Sequence, residues 1–307
     1  MVERYRNLVY DSDRWTDFPF RPDDIVISTP PKCGTTWTQM LCASLIFNAT
    51  TFDRPLAHIS PWVDMQTRSL PSVMAELEAQ THRRFIKTHT PLDGLPLDER
   101  VTFLCVGRDP RDVAISWDHH WANLDLDAFM ALRADAVGLD DLAELGPPPA
   151  DPPEDARERF WHWVYDEGKS SPTLAGVLHH LQTFWDRRDQ PNVALFHYSD
   201  LSVDLTGQLR RLADLLSIPM SEERIKELAA AATFDRMKGH AADLAPNADE
   251  GFWRSTDDFF HRGSSGQWRQ LLDQQDLHRY RHRVDQLIPA DLSEWAHHGW
   301  INEVHSD

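Results

Sequence analysis

Four short runs of apolar and β-branched residues recur along the chain. Each is four to seven residues long, and its hydrophobicity is nearly continuous rather than alternating with polar positions. Such runs are typical of strands that are covered on both faces, as in a parallel sheet. The pattern predicts strands at residues 25–28, 85–88, 101–107 and 193–198.

Other segments show the helical period, with apolar residues at every third or fourth position. Because these segments alternate with the strands, the pattern predicts an α/β fold with a central, mostly parallel sheet flanked by helices, in a single domain over residues 1–307. The helices are predicted at residues 36–47, 157–167, 173–187, 206–216 and 222–232.

Two segments lack both patterns. Residues 124–158 carry ten Asp or Glu against two Lys or Arg, and they include the run Gly-Pro-Pro-Pro-Ala-Asp-Pro-Pro. This composition predicts an exposed, mobile acidic insertion rather than core. Residues 239–257 mix Gly, Ala, Asp, Pro and Asn, and they predict a second mobile loop. Neither segment divides the chain into separate domains.

Composition then limits the partners. A net charge of −18 argues against nucleic acid and against anionic membranes, because both bind basic surfaces. The chain does not start with the apolar region of a secretory signal, and its longest apolar run is too short for a membrane span. Three cysteines in 307 residues predict reduced thiols. We therefore expect a cytoplasmic protein without stable membrane insertion.

The first predicted strand leads into Thr-Pro-Pro-Lys-Cys-Gly-Thr-Thr-Trp, residues 29–37. A strand, a tight turn and a helix direct backbone N–H groups and the positive helix end to one point, which suits a phosphate or sulfate. Lys32 adds a charge, and the hydroxyls of Thr35 and Thr36 add hydrogen-bond donors. The stretch therefore predicts an anion site.

The same stretch could have three other meanings. It could be an ordinary turn in which a Thr caps the helix. A nucleotide-hydrolysing P-loop needs Gly-x-x-x-x-Gly-Lys-[Ser/Thr], whereas here the Lys precedes the one Gly. A cysteine phosphatase needs an Arg six places after its Cys, and the residue six places after Cys33 is Gln39. Cys33 is then expected to be a small packing residue.

Two further strand ends carry polar side chains. Arg108 follows the third strand, and Ser116 lies one turn into a helix that can begin near Asp112, so the two could hold a second anion. Arg108 and Arg111 could instead pair with Asp109 and Asp112 at the surface, and for Arg111 we expect that pairing. Lys87 and His89, at the end of the second strand, share one strand face by the period of two. Ligands of open α/β sheets bind at this edge.

Taken together, these stretches resemble the cytosolic-type sulfotransferases, which use 3′-phosphoadenosine 5′-phosphosulfate. The phosphosulfate loop of that family, Pro-Lys-Ser-Gly-Thr-Thr-Trp, is similar to residues 31–37, where Cys33 replaces the Ser. Its Lys-Thr-His segment matches residues 87–89. Its 3′-phosphate motif, an Arg followed eight places later by a Ser, matches Arg108 and Ser116.

Two later motifs of the family also match in order. Residues 198–201 have its Tyr-x-Asp-Leu pattern, and residues 261–268 have its Arg-Lys-Gly-x-x-Gly-x-Trp pattern with His261 in place of the first Arg. Residues 270–276 lack the family's dimer signature, so the oligomeric state is left open. The resemblance covers residues 25–270 and implies a P-loop-like sulfotransferase.

The resemblance implies in-line transfer of a sulfuryl group to the hydroxyl or amine of a small-molecule or lipid acceptor, with adenosine 3′,5′-bisphosphate (PAP) as the product. His89 would accept the acceptor's proton, Lys32 would neutralise the bridging oxygen, and Lys87 would stabilise the transferring oxygens. The residues expected to bind the nucleotide are Lys32, Cys33, Gly34, Thr35, Thr36, Trp37, Arg108, Ser116, Tyr198, Phe234, Arg262 and Gly263.

The acceptor pocket is predicted from aromatic and histidine side chains, and twelve Trp favour an apolar acceptor. No metal is predicted, because paired histidines such as His119-His120 do not share a helix face. Two alternatives remain at this point: a P-loop-like kinase or ATPase, and a non-catalytic nucleotide-binding homologue. The expected acceptor residues are Phe20, Trp62, His119, Trp121 and Phe252.

Overall fold

A parallel four-stranded sheet forms the centre of the molecule. The computed structural model describes residues 2–146, 152–169, 172–246, 248–260 and 263–301. The strands lie in the order β2-β1-β3-β4 and all pair in parallel. Their bounds are β1 Ile25–Ser28, β2 Phe85–Thr88, β3 Thr102–Gly107 and β4 Val193–His197. The prediction of a central, mostly parallel sheet flanked by helices is therefore confirmed.

Fifteen α-helices are found in the described residues, and each of the five predicted helices is present within two residues at both ends. Their bounds are α1 Thr35–Phe47, α2 Leu56–Ile59, α3 Leu70–Ala79, α4 Pro110–Asn123, α5 Leu126–Val137, α6 Ala156–Tyr165, α7 Leu174–Trp185, α8 Tyr198–Val203, α9 Leu205–Leu215, α10 Glu222–Ala231, α11 Phe234–Lys238, α12 Ala241–Leu244, α13 Thr256–Phe259, α14 Gln274–Asp285 and α15 Ala290–His298.

The sheet is buried on both faces, as the continuous apolar runs predicted. Val26 and Phe103 point to one face, where α7, α14 and α15 pack. Ile25 and Leu104 point to the other, where α1, α9 and α10 pack. Because side chains alternate along a strand, each strand contributes to both layers of core.

The strand order places four chain segments at one edge of the sheet. After β1 the chain forms β2 on one side of β1, and it then crosses to form β3 on the other side. The carboxyl ends of parallel strands on either side of such a reversal border the crevice where ligands bind. In the described part of the chain, no helix combines the length and apolar character needed to cross a membrane.

The two segments expected to be mobile pack against each other. Leu124 forms an antiparallel bridge with Trp253, and Asn123 exchanges hydrogen bonds with the backbone of Ser255 at 2.8 and 3.0 Å. Within the acidic segment, α5 buries Phe129 and Arg133 completely. This burial differs from the expectation of an exposed segment, because long-range contacts supply partners that composition does not show. Movement of either segment stays a prediction.

Candidate active site

All four strand ends open onto one large cleft of about 1760 Å³. The loop after β1 forms its floor, together with side chains at the ends of β2 and β3 and at the start of α8. On the opposite wall lie α4, α5 and the segment before α13. The cleft therefore brings together the anion-binding stretches that are far apart in sequence.

The loop between β1 and α1 presents the start of a helix to this cleft. Gly34 precedes α1 with a φ of 97°, and a Cβ atom there would lie 3.2 Å from the ring of Tyr198. Glycine is therefore required by backbone conformation and by close packing. No side chain of the described residues caps α1. Its first N–H groups can donate to an anion.

Two lysines reach the cleft in an environment that lowers the pKa of their ammonium groups. Burial, together with the positive charges of Arg108 and Lys87, lowers the pKa of Lys32 to about 7. Burial also lowers the pKa of Lys87 to about 7, and its ammonium lies 4.0 Å from the ring centre of Trp62. An anion bound between these lysines would raise both pKa values and be held strongly in return.

His89 follows β2 and is oriented by a backbone contact. Its Nδ1 donates to the carbonyl of Thr29 at 2.7 Å, so the lone pair of the neutral ring is on Nε2. The edge of Trp62 packs on the ring at a centroid distance of 4.7 Å. Burial and the nearby charge of Lys87 hold the pKa of His89 well below its usual range. The imidazole is therefore neutral and can accept a proton.

Arg108, at the end of β3, has an unused donor. It donates to the carbonyls of Lys32 at 2.9 Å and Ser264 at 3.3 Å, and its guanidinium stacks 4.4 Å from the ring centre of Tyr198. Its Nε atom is buried without a hydrogen-bond partner in the described residues. Ser116 lines the same cleft. A buried cation with an unused N–H fits an anionic group.

The loop beside Arg108 is held by a residue that the sequence analysis did not select. Both carboxylate oxygens of Asp112 accept backbone N–H groups, from Gly266 at 2.7 Å and Gln267 at 2.9 Å. Gly263 lies in the same loop with a φ of 63°, and a Cβ atom there would collide with Phe234. Asp112 therefore fixes the loop onto α4. The predicted positions Arg262 and His261 lie outside the described residues.

Arg111 pairs with Asp109 at 2.7 Å, as expected, but the pair is buried rather than at the surface. The Arg111 guanidinium stacks 3.8 Å from the ring centre of Trp268, which supplies the cover that the sequence pattern did not reveal.

Three aromatic side chains form one end of the cleft near Arg108. Trp37 and Tyr198 pack edge to face with ring centres 5.3 Å apart, and Phe234 lies beside them. Trp37 is fixed by a hydrogen bond from Nε1 to the carbonyl of Ala232 at 2.8 Å. This end of the cleft can accept a flat ring.

The side chain of Cys33 packs in the core, as expected of a small packing residue, so only its backbone remains available to a nucleotide in the loop. The thiol is fully buried among core residues of the sheet, outside the residues that line the cleft. Burial raises its pKa to about 12, so the thiol stays protonated and unreactive.

The predicted acceptor residues divide into two groups. Trp62, Trp121 and Phe252 line the cleft on the side away from Arg108. Phe20 does not, because it packs against Trp15, Phe18 and Phe103 in the core. His119 is exposed on the outer face of α4 and does not line the cleft. Both assignments are corrected by the structure.

His120 is a cleft histidine that the sequence analysis did not select, and it lies beside the predicted lysine. Adjacent helical residues point about 100° apart, so the exposure of His119 leaves His120 facing inward. Its Nδ1 lies 3.0 Å from the Nζ atom of Lys32. The apolar positions of α4 before and after the pair could have revealed which histidine faces the core.

A metal site is not formed by the described residues, since no group of three or more His, Cys, Asp or Glu side chains among them could hold an ion. The charges facing the floor of the cleft are the cations Lys32, Lys87 and Arg108. This arrangement can bind two anionic groups and remove a proton between them.

Comparisons with known proteins agree with this geometry. The family described as "Sulfotransferase domain" matches residues 22–291. A "Glycolipid sulfotransferase" of Mycobacterium bovis is 45% identical over 96% of this chain and 94% of the relative. One of Mycobacterium tuberculosis is 44% identical over the same shares.

Two solved structures share the fold. Retinol dehydratase in complex with androsterone and the inactive cofactor PAP has a TM-score of 0.69 and 22% identity, over 92% of this chain and 87% of that one. A mouse sulfotransferase complexed with PAP has a TM-score of 0.65 and 18% identity, over 92% and 91%. The family match and the extent of identity together show that this chain belongs to the sulfotransferase family.

Proposed function

We propose that this chain transfers a sulfuryl group from 3′-phosphoadenosine 5′-phosphosulfate to a hydroxyl group of a glycolipid, without a metal ion. The observation that carries the proposal is the meeting of two lysines with lowered pKa values and a neutral, oriented histidine on the cleft floor. The motifs resembling the phosphosulfate loop and the 3′-phosphate site both line this cleft.

The nucleotide would lie along the strand ends. The start of α1 and Lys32 would hold the 5′ phosphosulfate, and Arg108 with Ser116 would hold the 3′-phosphate. The slot formed by Trp37, Tyr198 and Phe234 would take the adenine. When bound, the nucleotide supplies the activated sulfur and a leaving group that departs as a phosphate anion.

His89 acts on the acceptor side of the reaction. Its Nε2 takes the proton of the acceptor hydroxyl as that oxygen forms a bond to sulfur. Thr29 keeps the ring in the required tautomer through its carbonyl. The nearby anionic nucleotide raises the pKa of His89, which makes the imidazole a stronger base once the nucleotide is in place.

The lysines act on the charge that develops as the bond from sulfur to the bridging oxygen breaks. Its electron pair stays on the phosphate oxygen, which Lys32 neutralises. Lys87 contacts the oxygens of the sulfuryl group during transfer. Donors positioned in this way contribute about 3 kcal/mol each to the transition state. Trp62 keeps Lys87 and His89 side by side by touching both.

A glycolipid acceptor is supported by the size and lining of the cleft and by the relatives. The wall away from Arg108 is formed by an apolar cluster that includes Met65, Phe129, Phe252 and Trp253. Such a wall suits an alkyl chain or the apolar face of a sugar. Relatives with about 45% identity carry the name glycolipid sulfotransferase.

Transfer of radiolabelled sulfate from the nucleotide to a panel of glycolipids, sterols and phenols tests the proposal. We expect transfer to glycolipids in the presence of a chelator. The His89→Ala variant should lose about 1000-fold in kcat, because a general base contributes 10²–10⁴-fold, while binding PAP within about threefold of wild type. The exposed His278 provides the matched control His278→Ala.

Two results would contradict the proposal. One is tighter binding of ATP with magnesium than of PAP, as a kinase or ATPase would show. The other is unchanged turnover in His89→Ala, which would place the base elsewhere.

A further inference from the structure

His120 occupies the wall of the cleft that faces the strand ends. It belongs to α4, the helix that begins just after Arg108, and it lines the cleft as Ser116 does one turn earlier. Its ring is held between Trp117, Trp253 and Phe259, with ring centres 5.3, 4.8 and 6.0 Å away. Because the ring is wedged by three aromatic groups, its nitrogen atoms have fixed directions.

The contact between His120 and Lys32 is directional. Nζ of Lys32 lies 3.0 Å from Nδ1 of His120 and 4.9 Å from the ring centre of Phe259. A lysine ammonium has three N–H donors, and a neutral imidazole accepts one of them through its lone pair. Lys32 therefore keeps two donors for anionic oxygens while the third is held by His120.

Lysine has a long side chain with several rotatable bonds, and its ammonium makes no fork-shaped contact that could fix its direction. The backbone of Lys32 is fixed by its carbonyl, which accepts from Arg108 at 2.9 Å. Because both the backbone and the ammonium of Lys32 are held, its positive charge is confined to one position on the cleft floor.

We propose that His120 is a positioning residue for Lys32, which holds the lysine ammonium at the bridging oxygen through the hydrogen bond to Nδ1. This inference rests on the proposed sulfuryl transfer. It adds a second histidine to the site, with a role distinct from that of His89: His120 touches a catalytic cation and does not itself take the acceptor's proton.

The charges around the pair favour this protonation pattern. The cations Lys32 and Lys87 and the ring of His89 face His120, and burial with these cations holds its pKa well below the usual range. Lys32 faces Arg108, Lys87 and the protonated thiol of Cys33. His120 is consequently the neutral acceptor, and Lys32 is the donor.

Two substitutions of His120 distinguish a role in positioning Lys32 from a role in filling space between the aromatic rings. His120→Leu fills much of the same space but removes the acceptor atom, whereas His120→Asn retains an amide oxygen near the position of Nδ1. The neighbouring His119→Leu is the matched control, since His119 lies on the exposed face of the same helix. Thermal unfolding of each variant verifies that it is folded.

We expect His120→Leu to lower kcat by about tenfold to a hundredfold and to change the dissociation constant of PAP by less than about threefold. The alkaline limb of the kcat profile should move to lower pH by about half a unit to one unit, because the ammonium of Lys32 loses a hydrogen-bond acceptor. His120→Asn should recover most of both effects. Equal losses in the two variants, or a change in acceptor KM alone, would overturn the positioning role.

A measurement without turnover tests the contact itself. In a long-range ¹H–¹⁵N spectrum of histidine-labelled protein, Lys32→Met should shift the Nδ1 resonance of His120 more than Lys87→Met does. An unchanged resonance in Lys32→Met would refute the inference. If the wild type transferred no sulfate while the resonance shifted as expected, the proposed function would fail and the contact would stand.

Discussion

The two halves of the cleft are built in different ways. The nucleotide half, named for the ligand proposed to bind there, consists mainly of loops that directly follow strands, and its side chains are fixed by backbone groups of neighbouring loops, as Arg108 is by the carbonyl of Lys32. The acceptor half, named for the ligand proposed to bind there, is assembled from the C-terminal end of α4, from α5 and from residues 252–259, which meet through side-chain packing and a short bridge at Leu124 and Trp253.

This difference separates what local sequence can specify from what it cannot. A strand, a turn and a helix start within about ten residues of each other and form an anion site with little outside help. The acceptor half depends on contacts between segments more than a hundred residues apart, such as Asn123 with Ser255. Substitutions or pH changes that alter binding in one half of the cleft and not in the other test whether the two halves are independent.

Removing Arg108 should break the nucleotide half alone. Arg108→Ala deletes a buried cation with an unused donor, and charge-assisted hydrogen bonds are worth about 1.5–3 kcal/mol. We expect the affinity for PAP to fall by about tenfold to a hundredfold, with little change in acceptor KM at saturating nucleotide. Isothermal titration with PAP and with adenosine 5′-monophosphate measures this. A comparable loss for the ligand without the 3′-phosphate would contradict the assignment.

Raising the pH should also weaken nucleotide binding, and gradually. Lys32 and Lys87 have pKa values of about 7, so each is charged below pH 7 and loses its proton above it. The bound anion raises these pKa values, and affinity for PAP should therefore fall above pH 7 by up to about tenfold per unit for each lysine. Titrations between pH 6 and pH 8.5 test this, and Lys87→Met should flatten the slope. A pH-independent affinity would contradict the lowered pKa values.

Removing the hydrogen bonds of Arg133 should disturb the acceptor half alone. This buried guanidinium joins α5 to three other segments. It donates to the carbonyl of Leu8 at 3.2 Å near the N-terminus and to the side chain of Gln66 at 2.8 Å between α2 and α3, and it pairs with Asp141 at 2.7 Å after α5. We expect Arg133→Met to raise the acceptor KM by about fivefold to tenfold and to leave PAP affinity unchanged. Steady-state kinetics compare it with the exposed control Arg281→Met. Equal effects on both ligands would show that the halves are not independent.

Substitution of Cys33 should have the smallest effect on activity and on PAP binding. Its thiol faces the core, with a pKa raised by burial to about 12, although its sequence neighbours form the anion loop. Cys33→Ala should keep kcat and PAP affinity within about threefold, and the native protein should resist iodoacetamide at this position. Mass spectrometry of the labelled protein measures the latter. Rapid modification would place the thiol in the cleft.

Much of the fold could be predicted because its elements carry their own pattern. β1 and β2 begin and end where the apolar runs do, and β3 and β4 differ by one residue at one end. The helices α3, α5 and α15 were not predicted. α14 was not among the predicted helices either, although Tyr280 and Val284 are buried on it. Its sequence is strongly polar, so two apolar positions give a weak periodic signal.

The positions of several predicted site residues could be anticipated for the same reason. The prediction failed where the orientation of a side chain mattered. Lys32, Lys87, His89 and Arg108 follow strands, so the parallel sheet brings them together whatever lies opposite. The choice between His119 and His120 depends on which face of α4 is buried, and a single histidine pair does not reveal it. Phe20 was misplaced because an aromatic residue suits a core as well as a pocket.

The sequence by itself indicated the family, the parallel sheet and the strand-end residues that are proposed to bind anions, because these depend on local patterns of burial and turn geometry. The tertiary structure decided how the opposite wall of the cleft is built and which side chains reach it. It buried Arg133, turned His120 inward and placed the thiol of Cys33 in the core. These outcomes depend on contacts between distant segments, whose packing free energy has no counterpart in any short stretch of sequence.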